Sequence, residues 1–433
     1  MNVSFDLNGV ASSSFEDCPF CGCKLTFGVL PVFGRSYTRK CGICRKSKHF
    51  DLPPLSKKVI YLDQFALSNM MKEIDSSRAG KQSQPHGDFF LELFKQLDRL
   101  GKLQLIVCPR SSIHFNESIV DHNDYRKIRA VYDLLSRGFK FDHHQNVYTQ
   151  QILNGLHAWL KGKASFETNL DPAKVMTDGA ITEWDDWFRI SANWPVSEEA
   201  LANELRTGKA LLEGGLKPVI ARWQQQPDKR FDDWYAEEIA ANGEALIRCW
   251  CEYAQTATAV CAGKLPADSF PNLNYAVRLV SEILLRLEAA GVQSAERFPK
   301  AREFFASSIF RQIPIVSIGA AMWAGLAHRL NNGQKKWKVS MADDITAIST
   351  HLPFCDVMFL EKECANLLAS EPVKKHITYK TQVFSLKNKD EFLAYLKEIE
   401  TSATKEHLEK IQELYGKFWA MPFSKLQPSN QPT

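Results

Sequence analysis

Two pairs of cysteines near the start of the chain constrain its fold more than any other feature. Cys18-Pro-Phe-Cys21 and Cys41-Gly-Ile-Cys44 are CxxC pairs with nineteen residues between them. Each pair can present two thiolates to one tetrahedral Zn²⁺, which predicts a structural zinc site. Cys23 is close enough in sequence to compete as a ligand. A redox CxxC is the alternative, and the second pair argues against it.

The segment around the second cysteine pair is strongly basic. It contains no acid from Gly22 through Phe50, and Phe33 and Tyr37 are interleaved with its cations. The candidate nucleic-acid-binding residues are Arg35, Arg39, Lys40, Arg45 and Lys46. Cations with aromatic side chains between them suit phosphate contact and base stacking, although a solvated surface would look the same. The net charge of the chain is only +4, so nucleic-acid binding would depend on such local patches.

The remaining composition is that of an ordinary soluble globular protein, with 45% hydrophobic and 24% charged residues. The start of the chain has neither a basic segment nor an apolar run, so we expect no secretory signal. Eleven cysteines without such a signal favour free thiols, a metal site and a cytoplasmic location. The longest uncharged apolar stretch, Gln312 to Ala327, contains proline and glycine and predicts a buried helix, so no membrane partner is expected.

The first part of the chain after the cysteines alternates between strand and helix patterns. Val59–Leu62 and Leu103–Cys108 predict buried strands, and the apolar spacing from Phe89 to Leu100 predicts a helix that stops at Gly101. This alternation favours a parallel sheet. The fold class expected is α/β, with a parallel-sheet core, a large all-helical insertion and a small N-terminal zinc ribbon.

The boundaries predicted on this basis are residues 1–55 for the zinc ribbon, 56–145 and 315–400 for the two parts of the core, 146–314 for the helical insertion and 401–433 for a C-terminal helix and tail. Helices are predicted at Glu198–Leu212, Asp232–Gly263, Leu273–Ala290, Pro299–Arg311 and Lys389–Ile399. Further strands are predicted at Asp356–Leu360 and Gln382–Leu386, and residues 427–433 have a composition typical of disorder.

Carboxylates recur at the ends of the predicted strands and at the starts of the helices that follow them. These candidates are Asp63, Glu117, Asp344, Asp356 and Glu361. Each has an ordinary structural explanation, since acids cap helices and cover solvated helix faces. Ligand sites in open α/β sheets, however, lie beyond the carboxyl ends of the strands. The shared placement therefore predicts that the acids meet at one edge of the sheet.

Clustered carboxylates repel one another, so bringing them together is costly unless cations neutralise them. Mg²⁺ and Mn²⁺ are hard ions that take oxygen ligands and retain waters. Such ions activate a water nucleophile and stabilise a leaving oxygen in phosphodiester displacement. The acids thus predict a catalytic Mg²⁺ or Mn²⁺ site. His114 would either orient a water or a phosphate there or act as a structural histidine.

The order of the motifs resembles the PIN-like nuclease families. The motifs are Tyr61-Leu-Asp-Gln64, Ser111-x-x-His114-x-x-Glu117, and Asp344 followed by Leu352-Pro-Phe-Cys-Asp356. The resemblance implies a compact α/β/α fold and metal-dependent endonuclease activity, mostly on RNA. It matches Asp63, Glu117 and Asp344 to the first three acids of the family, with Asp356 and Glu361 sharing the last positions. Leu360-Glu361 stands where this family version has a Thr-Asp pair.

The sequence therefore predicts a divalent-metal-dependent endonuclease, with RNA as the expected substrate. Because an unrestrained ribonuclease is toxic, we also expect a protein regulator and a toxin or phage-defence setting. Two alternatives stay open: a catalytically lapsed PIN-like protein that binds nucleic acid or acts as a scaffold, and a nuclease directed at DNA. Signatures of P-loop nucleotide binding, dinucleotide binding, zinc proteolysis and the serine-hydrolase elbow are absent from the sequence.

Overall fold

A computed structural model of the chain describes residues 15–30, 32, 34–78, 83–120, 124–177, 181–185, 198–226, 228–333, 338–416 and 419–420. Its strands are β1 (Phe15–Glu16), β2 (Phe27–Val29), β3 (Ser36–Cys41), β4 (Ser47–Asp51), β5 (Lys58–Leu62), β6 (Ile106–Val107), β7 (Lys140–Phe141), β8 (Met176–Thr177), β9 (Val357–Phe359) and β10 (Gln382–Phe384). Its helices are α1 (Gln64–Arg78), α2 (Gly87–Lys102), α3 (Ser112–Val120), α4 (Tyr125–Ser136), α5 (His144–Leu160), α6 (Glu198–Gln224), α7 (Phe231–Cys261), α8 (Tyr275–Ala289), α9 (Ser294–Ala306), α10 (Ser308–Gln312), α11 (Pro314–Asn331), α12 (Ser340–His351), α13 (Lys362–Leu368), α14 (Glu371–Lys374), α15 (Lys389–Thr401) and α16 (Lys405–Tyr415).

The expected parallel sheet is present. Its strands run in the order β10, β9, β5, β6, and every neighbouring pair is parallel. Leu62 of β5 is in register with Phe359 of β9. Because both strands point the same way, Asp63 and Leu360 follow them at the same edge. This is the carboxyl edge of the sheet.

Side chains alternate between the two faces of the sheet, as the two-residue repeat of a strand requires. Ile60 and Phe359 belong to one buried cluster, which includes apolar residues of α1, α2 and α15. Tyr61 and Met358 belong to another, which includes residues of α11 and α12. Helices therefore cover both faces, and strands with two covered faces read as continuous apolar runs. The mixed α/β class is confirmed.

The predicted helices of the middle region are present with shifted ends. The segment expected at Glu198–Leu212 continues to Gln224, and the segment expected as one helix at Pro299–Arg311 is two helices, α9 and α10. Ser307 divides them, because its hydroxyl accepts the N–H of Phe310 at 3.2 Å and caps α10. The predicted buried helix begins at Pro314. None of the described helices is long and apolar enough to span a membrane.

The N-terminal strands β1 to β4 form an antiparallel sheet in sequence order, which we call the ribbon. Its Tyr37 is buried with Leu55, Leu103, Trp184 and Leu414 in one apolar cluster. Leu55 and Leu103 shortly precede β5 and β6, so the ribbon packs against the amino edge of the parallel sheet. Residues 421–433, which include the predicted disordered tail, lie outside the described residues.

Candidate functional site

Asp63 lies where β5 ends and α1 begins. Its backbone N–H donates to the Phe359 carbonyl at 3.0 Å, and its Oδ2 accepts the N–H of Glu361 at 3.0 Å. These bonds fix the carboxylate between the ends of β5 and β9. Burial raises the pKa of Asp63 to about 6, and the charge of Glu361 adds to this effect. The backbone N–H groups of Gln64 and Phe65 act in the opposite direction, which agrees with an additional capping role.

Glu117 approaches from α3, which follows β6. Gln64 donates from Nε2 to the Ser118 hydroxyl at 2.7 Å and so links the start of α1 to α3. Burial raises the pKa of Glu117 well above its ordinary value, and the charges of Asp63 and Asp344 raise it further. The second strand therefore delivers its acid to the same edge, as the sequence predicted.

Asp344 lies on α12, and the Cys364 thiol of α13 donates to its Oδ2 at 3.5 Å. Burial raises the pKa of Asp344 to about 8, and the charges of Asp63 and Glu361 raise it further. The hydrogen bond from Cys364 partly offsets these effects. Asp344 is thus surrounded by like charge, although it is far from the other acids in the sequence.

Two lysines pair with carboxylates around this site, one with Glu361 and the other with Asp343, the residue before Asp344. Lys338 Nζ lies 3.2 Å from Glu361 Oε1, and Lys209 Nζ lies 3.2 Å from Asp343 Oδ2. The Glu361 side chain is 38% exposed, so this part of the site is open to solvent. The lysines are near enough to the acids to contact an anionic substrate, and neither was singled out from the sequence.

We call the carboxylates of Asp63, Glu117, Asp344 and Glu361 the acidic cluster. The charge of Asp63 raises the pKa values of Glu117 and Asp344, and the charge of Glu361 raises those of Asp63 and Asp344. Among the described residues, only the cysteine set brings three or more potential ligands within 4.8 Å of one another. The acids therefore enclose a wider space than directly shared coordination of one ion requires. That spacing suits a hydrated Mg²⁺, which usually contacts one or two carboxylates and keeps several waters.

Asp356 does not join the acidic cluster. Its carboxylate accepts the N–H of Val59 at 2.9 Å and pairs with Lys58 Nζ at 2.8 Å. Lys58 and Val59 begin β5, so Asp356 lies at the amino edge, opposite Asp63. The predicted strand began at Asp356 and the observed strand β9 begins at Val357, so in both cases this acid is at the amino end of the strand. The expectation that Asp356 meets the other acids is therefore wrong.

Three buried rings pack together on the face of the sheet that carries Tyr61. The ring of Tyr61 lies 4.8 Å from that of His114 and 5.6 Å from that of His351. Nδ1 of His114 is hydrogen-bonded to the Tyr132 hydroxyl, and its Nε2 has no partner among the described residues. Burial lowers the pKa of His114 to about 3, so its ring is neutral. These contacts agree with a structural role for His114.

The sequence analysis did not name Tyr61, His351 or Cys364 as candidate site residues. The pKa of Tyr61 is raised by burial and then by the charge of Asp63, so the ring lies near the acidic cluster. Spacing along the sequence could have identified two of these residues. Tyr61 is two positions before Asp63 on a strand, and His351 is seven after Asp344 on a helix, spacings that put side chains on one face.

The four cysteines of the ribbon form a set suited to zinc. Cys18 Sγ lies 3.7 Å from Cys44 Sγ, Cys21 Sγ lies 3.8 Å from Cys41 Sγ, and all four sulfurs are within 4.8 Å of one another. Tetrahedral Zn²⁺ with bonds of about 2.3 Å would separate its sulfur ligands by about 3.8 Å. The predicted zinc ligands are therefore brought together.

Two similar turns hold these sulfurs in place. The N–H of Ile43 donates to Cys41 Sγ at 3.3 Å, and the equivalent bond in the first pair is 3.4 Å long. Gly22 and Arg45 each follow the second cysteine of a pair and have φ of 72° and 64°. Cys23 is outside the sulfur set, and its carbonyl accepts the N–H of Cys18.

Arg39, one of the predicted nucleic-acid contacts, is buried. It is 1% exposed and donates to the carbonyls of Phe27 at 3.2 Å and Glu413 at 3.3 Å. Tyr37, Arg39 and Cys41 alternate along the covered face of β3. The prediction for Arg39 is therefore wrong, because the side-chain alternation of the strand turns this guanidinium inward.

The other four predicted cations, Arg35, Lys40, Arg45 and Lys46, are exposed and are called the basic set. Lys46 Nζ lies 5.6 Å from the ring centroid of Phe20, whose side chain is itself 44% exposed. Tyr37 is buried against Phe50, so it is not available for base stacking, and Phe33 lies outside the described residues. The ribbon thus presents the cation of Lys46 next to the accessible ring of Phe20.

Comparison of the chain with protein-family models, with curated proteins and with solved structures finds no match. A functional assignment must therefore be argued from the chemistry of the acidic cluster and the ribbon. The acidic cluster contains buried carboxylates with raised pKa values, and such perturbed groups are frequent at functional sites.

Proposed function

We propose that this protein is a divalent-metal-dependent endonuclease that acts on RNA. The observation that carries the proposal is the convergence of Asp63, Glu117, Asp344 and Glu361 at the carboxyl edge of a parallel sheet. Ligands of open α/β sheets bind at this edge. The order of the motifs, which resembles that of PIN-like nucleases, adds support from the sequence.

The donor set fits Mg²⁺ or Mn²⁺, since all of its charged oxygens are carboxylates, which are preferred by hard cations. Asp63, Glu117 and Asp344 would hold the ion, one or two of them directly and the rest through its bound waters, with Glu361 at the open side. A bound ion supplies Lewis-acid chemistry that lowers the pKa of water and stabilises the leaving oxygen. The raised pKa values support this role, because a cation would relieve the repulsion between these acids.

The chain itself would position the substrate. Lys338 and Lys209 border the acidic cluster and can contact the phosphates on either side of the scissile bond. The ribbon adds the basic set, but it packs at the amino edge of the sheet. A strand held by the ribbon must therefore run at least the length of β5, roughly 17 Å at about 3.3 Å per residue, to reach the acids. This favours an extended single-stranded substrate.

The test uses end-labelled single-stranded RNA and DNA of the same sequence, incubated with Mn²⁺, with Mg²⁺ and with a chelator. Three proteins are compared: the unaltered chain, Asp63→Asn and Asp356→Asn. Asp356 is the matched control because it is also an aspartate adjacent to a core strand, but it precedes its strand and lies at the opposite edge of the sheet. We expect metal-dependent cleavage of RNA that falls at least 100-fold in Asp63→Asn and changes less than threefold in Asp356→Asn.

Three results would contradict the proposal. Cleavage that persists in the chelator would exclude the metal, and equal loss in both variants would exclude the carboxyl edge as the site. RNA binding without cleavage under any metal condition would favour the lapsed, nucleic-acid-binding alternative. Preferential cleavage of DNA would retain the metal chemistry and change the substrate.

A further inference from the structure

A cavity of about 470 Å³ lies apart from the acidic cluster, among α5, α7, α8, α11 and α12. Its lining includes three large aromatic residues, Tyr148, Tyr275 and Trp323, and one carboxylate, Glu238. Binding sites for small molecules are typically cavities of this size, lined by aromatic side chains with a few polar groups. The features of this lining indicate which class of ligand would fit.

The aromatic walls are held in place by packing and by a hydrogen bond. The rings of Tyr148 and Tyr275 meet edge to face, with centroids 6.0 Å apart and an interplanar angle of 83°. The Tyr148 hydroxyl donates to Asn242 Oδ1 at 2.7 Å. Trp323 of α11 packs against Trp223 of α6, and their ring centroids are 6.3 Å apart. Rings oriented by their surroundings lose little entropy when they bind a ligand.

Glu238 is the sole carboxylate in the lining, which contains no lysine or arginine. No hydrogen bond or ion pair joins its carboxylate to another described residue, whereas the neighbouring Glu237 pairs with Lys229. Burial raises the pKa of Glu238 to about 7, although the more distant charges of Arg222 and Lys229 act in the opposite direction. A partly buried carboxylate without a partner is costly, and a cationic ligand would remove that cost.

The histidine in the lining does not offset this negative charge. His144 Nδ1 is hydrogen-bonded to the Ser112 hydroxyl at 2.9 Å. Burial lowers the pKa of His144 to about 4, so the ring is neutral at physiological pH. The cavity therefore combines aromatic rings with a single carboxylate, which a bound cation would keep ionised. This combination favours a cation and disfavours phosphates and carboxylates.

We propose that this cavity binds a small organic ammonium ion, held by the faces of Tyr148, Tyr275 and Trp323 and by the carboxylate of Glu238. Aromatic rings attract quaternary and protonated amines through their quadrupoles, most strongly where water is excluded. The proposal is independent of the endonuclease activity, since none of these residues belongs to the acidic cluster.

The cavity and the acidic cluster nevertheless share one helix. Thr346 and Ser349 of α12 line the cavity. Asp344 lies on the opposite side of α12. Thr346 and Ser349 follow it by two and five residues, and at about 100° per residue each is rotated by roughly 180° from it around the helix axis. The helix that carries a candidate metal ligand therefore forms one wall of the cavity.

The experiment is isothermal titration of the full-length protein with choline and with 3,3-dimethyl-1-butanol. The two compounds have nearly the same shape, and only choline is charged. We expect choline to bind at least tenfold more tightly than the alcohol. Equal affinity, or no binding of choline, would overturn the proposal.

Glu238→Gln and Glu237→Gln provide matched variants, since the two residues are adjacent on α7 and only Glu238 lines the cavity. Glu238→Gln is expected to weaken choline binding at least tenfold, and Glu237→Gln is expected to change it less than twofold. Tyr275→Ala gives a second test, because this ring is 36% exposed and its loss should not unfold the chain. Unchanged choline affinity in Glu238→Gln or in Tyr275→Ala, with a normal thermal unfolding curve, would contradict the assigned contacts.

Discussion

Asp344 shows how the acidic cluster affects stability at the scale of one residue. Its pKa in the folded chain is about 8, because burial and the charge of Asp63 disfavour the anion, against an ordinary value of 3.8. Between these two values the folded chain holds a proton that the unfolded chain has released. Folding stability without metal therefore falls as the pH rises from about 4 to about 8, and it stays at the lower level above that.

We expect Asp344→Asn to stabilise the metal-free protein by about 1–2 kcal/mol near pH 9 and to have little effect near pH 4. The asparagine keeps the size of the side chain and cannot ionise. Urea unfolding in the presence of a chelator, at both pH values, measures the difference. Glu252→Gln, an exposed position on α7, is the control and should change stability by less than about 0.5 kcal/mol at either pH. A stabilisation that does not depend on pH would contradict this account.

Asp185 is a buried acid in a different situation, because it has two cationic partners. Lys57 Nζ lies 2.7 Å and Arg137 Nε 3.1 Å from its carboxylate oxygens, and the Tyr415 hydroxyl donates to its carbonyl at 2.7 Å. Burial raises the pKa of Asp185, but the two cations outweigh it, so the pKa is lowered overall. Asp185 thus links Lys57, which directly precedes β5, to Tyr415 of the C-terminal helix α16.

Asp185→Asn should destabilise the protein by about 3–5 kcal/mol, because the change leaves Lys57 buried without its counter-charge. Glu282→Gln breaks an ion pair of similar length with Arg286 on the surface of α8, and it should cost less than about 0.5 kcal/mol. Chemical denaturation of both variants measures the contrast. An equal loss in the free energy of unfolding for the two variants would show that burial does not determine how much an ion pair contributes to stability.

At the scale of single elements, we expect the ribbon to depend on a bound metal. Its strands are two to six residues long, and its own apolar cluster consists of few residues, so it cannot bury a large core. Small domains of this kind usually require a metal or disulfides to fold.

We expect one Zn²⁺ per chain by metal analysis, with Cys21→Ser losing the zinc and Cys23→Ser retaining it. Cys23 is the matched control because it is two positions from Cys21 and outside the sulfur set. Limited proteolysis should cut the ribbon of Cys21→Ser faster than that of Cys23→Ser. Zinc loss in both variants would indicate that Cys23 is a ligand.

The helix α11 is closely packed at Gly325. A Cβ atom there would lie 2.4 Å from Val373 Cγ2 and 3.0 Å from Leu367 Cδ1. The glycine allows α11 to approach α13 and α14, the helices that follow β9. Close packing of this kind holds the carboxyl edge in place.

Gly325→Ala should therefore destabilise the protein by about 1–3 kcal/mol through overpacking. Gly214→Ala on α6 is the opposite case, since nothing lies within 4 Å of the added Cβ and the residue is helical. It should raise stability by roughly 0.5–1 kcal/mol. Thermal unfolding of the two variants tests the sign of each change, and stabilisation by Gly325→Ala would contradict the packing described for α11.

At the scale of the whole molecule, the ribbon and the acidic cluster are at opposite edges of one sheet. If both contact the same RNA, removing ribbon cations should weaken binding without changing the chemistry at the acids. Exposed lysines act on nucleic acid mainly by displacing counterions from phosphates, so their effect depends on salt.

The double variant Lys40→Ala/Lys46→Ala should bind single-stranded RNA more weakly at low salt, and the slope of log K against log salt should fall by about 1.4, at roughly 0.7 per phosphate contact. The control is Lys405→Ala, an 89% exposed lysine of α16 that pairs with Glu409 at 3.5 Å. Fluorescence anisotropy over a salt series measures both. An unchanged slope in the double variant would exclude the basic set from the RNA interface.

Several features were predictable from local sequence because they depend on spacing along the chain. The cysteine pairs, the buried strands at Val59–Leu62 and Asp356–Leu360 and most helices of the middle region follow from periodicity and from short ligand spacing. Helix ends were less predictable, since they depend on single side chains such as that of Ser307, whose capping divides one predicted helix into α9 and α10.

The local sequence by itself determined which acids follow a strand, which cysteines can share a metal and which apolar segments are buried. These features depend on neighbours within a few positions. Tertiary structure alone decided that Asp356 lies at the amino edge, that Arg39 points inward against α16 and that five helices enclose an aromatic cavity. Each of these depends on the register and packing of segments that are far apart in the sequence. Asp356, for example, lies at the amino edge because β9 pairs in parallel with β5, which brings its carboxylate to Lys58 and Val59.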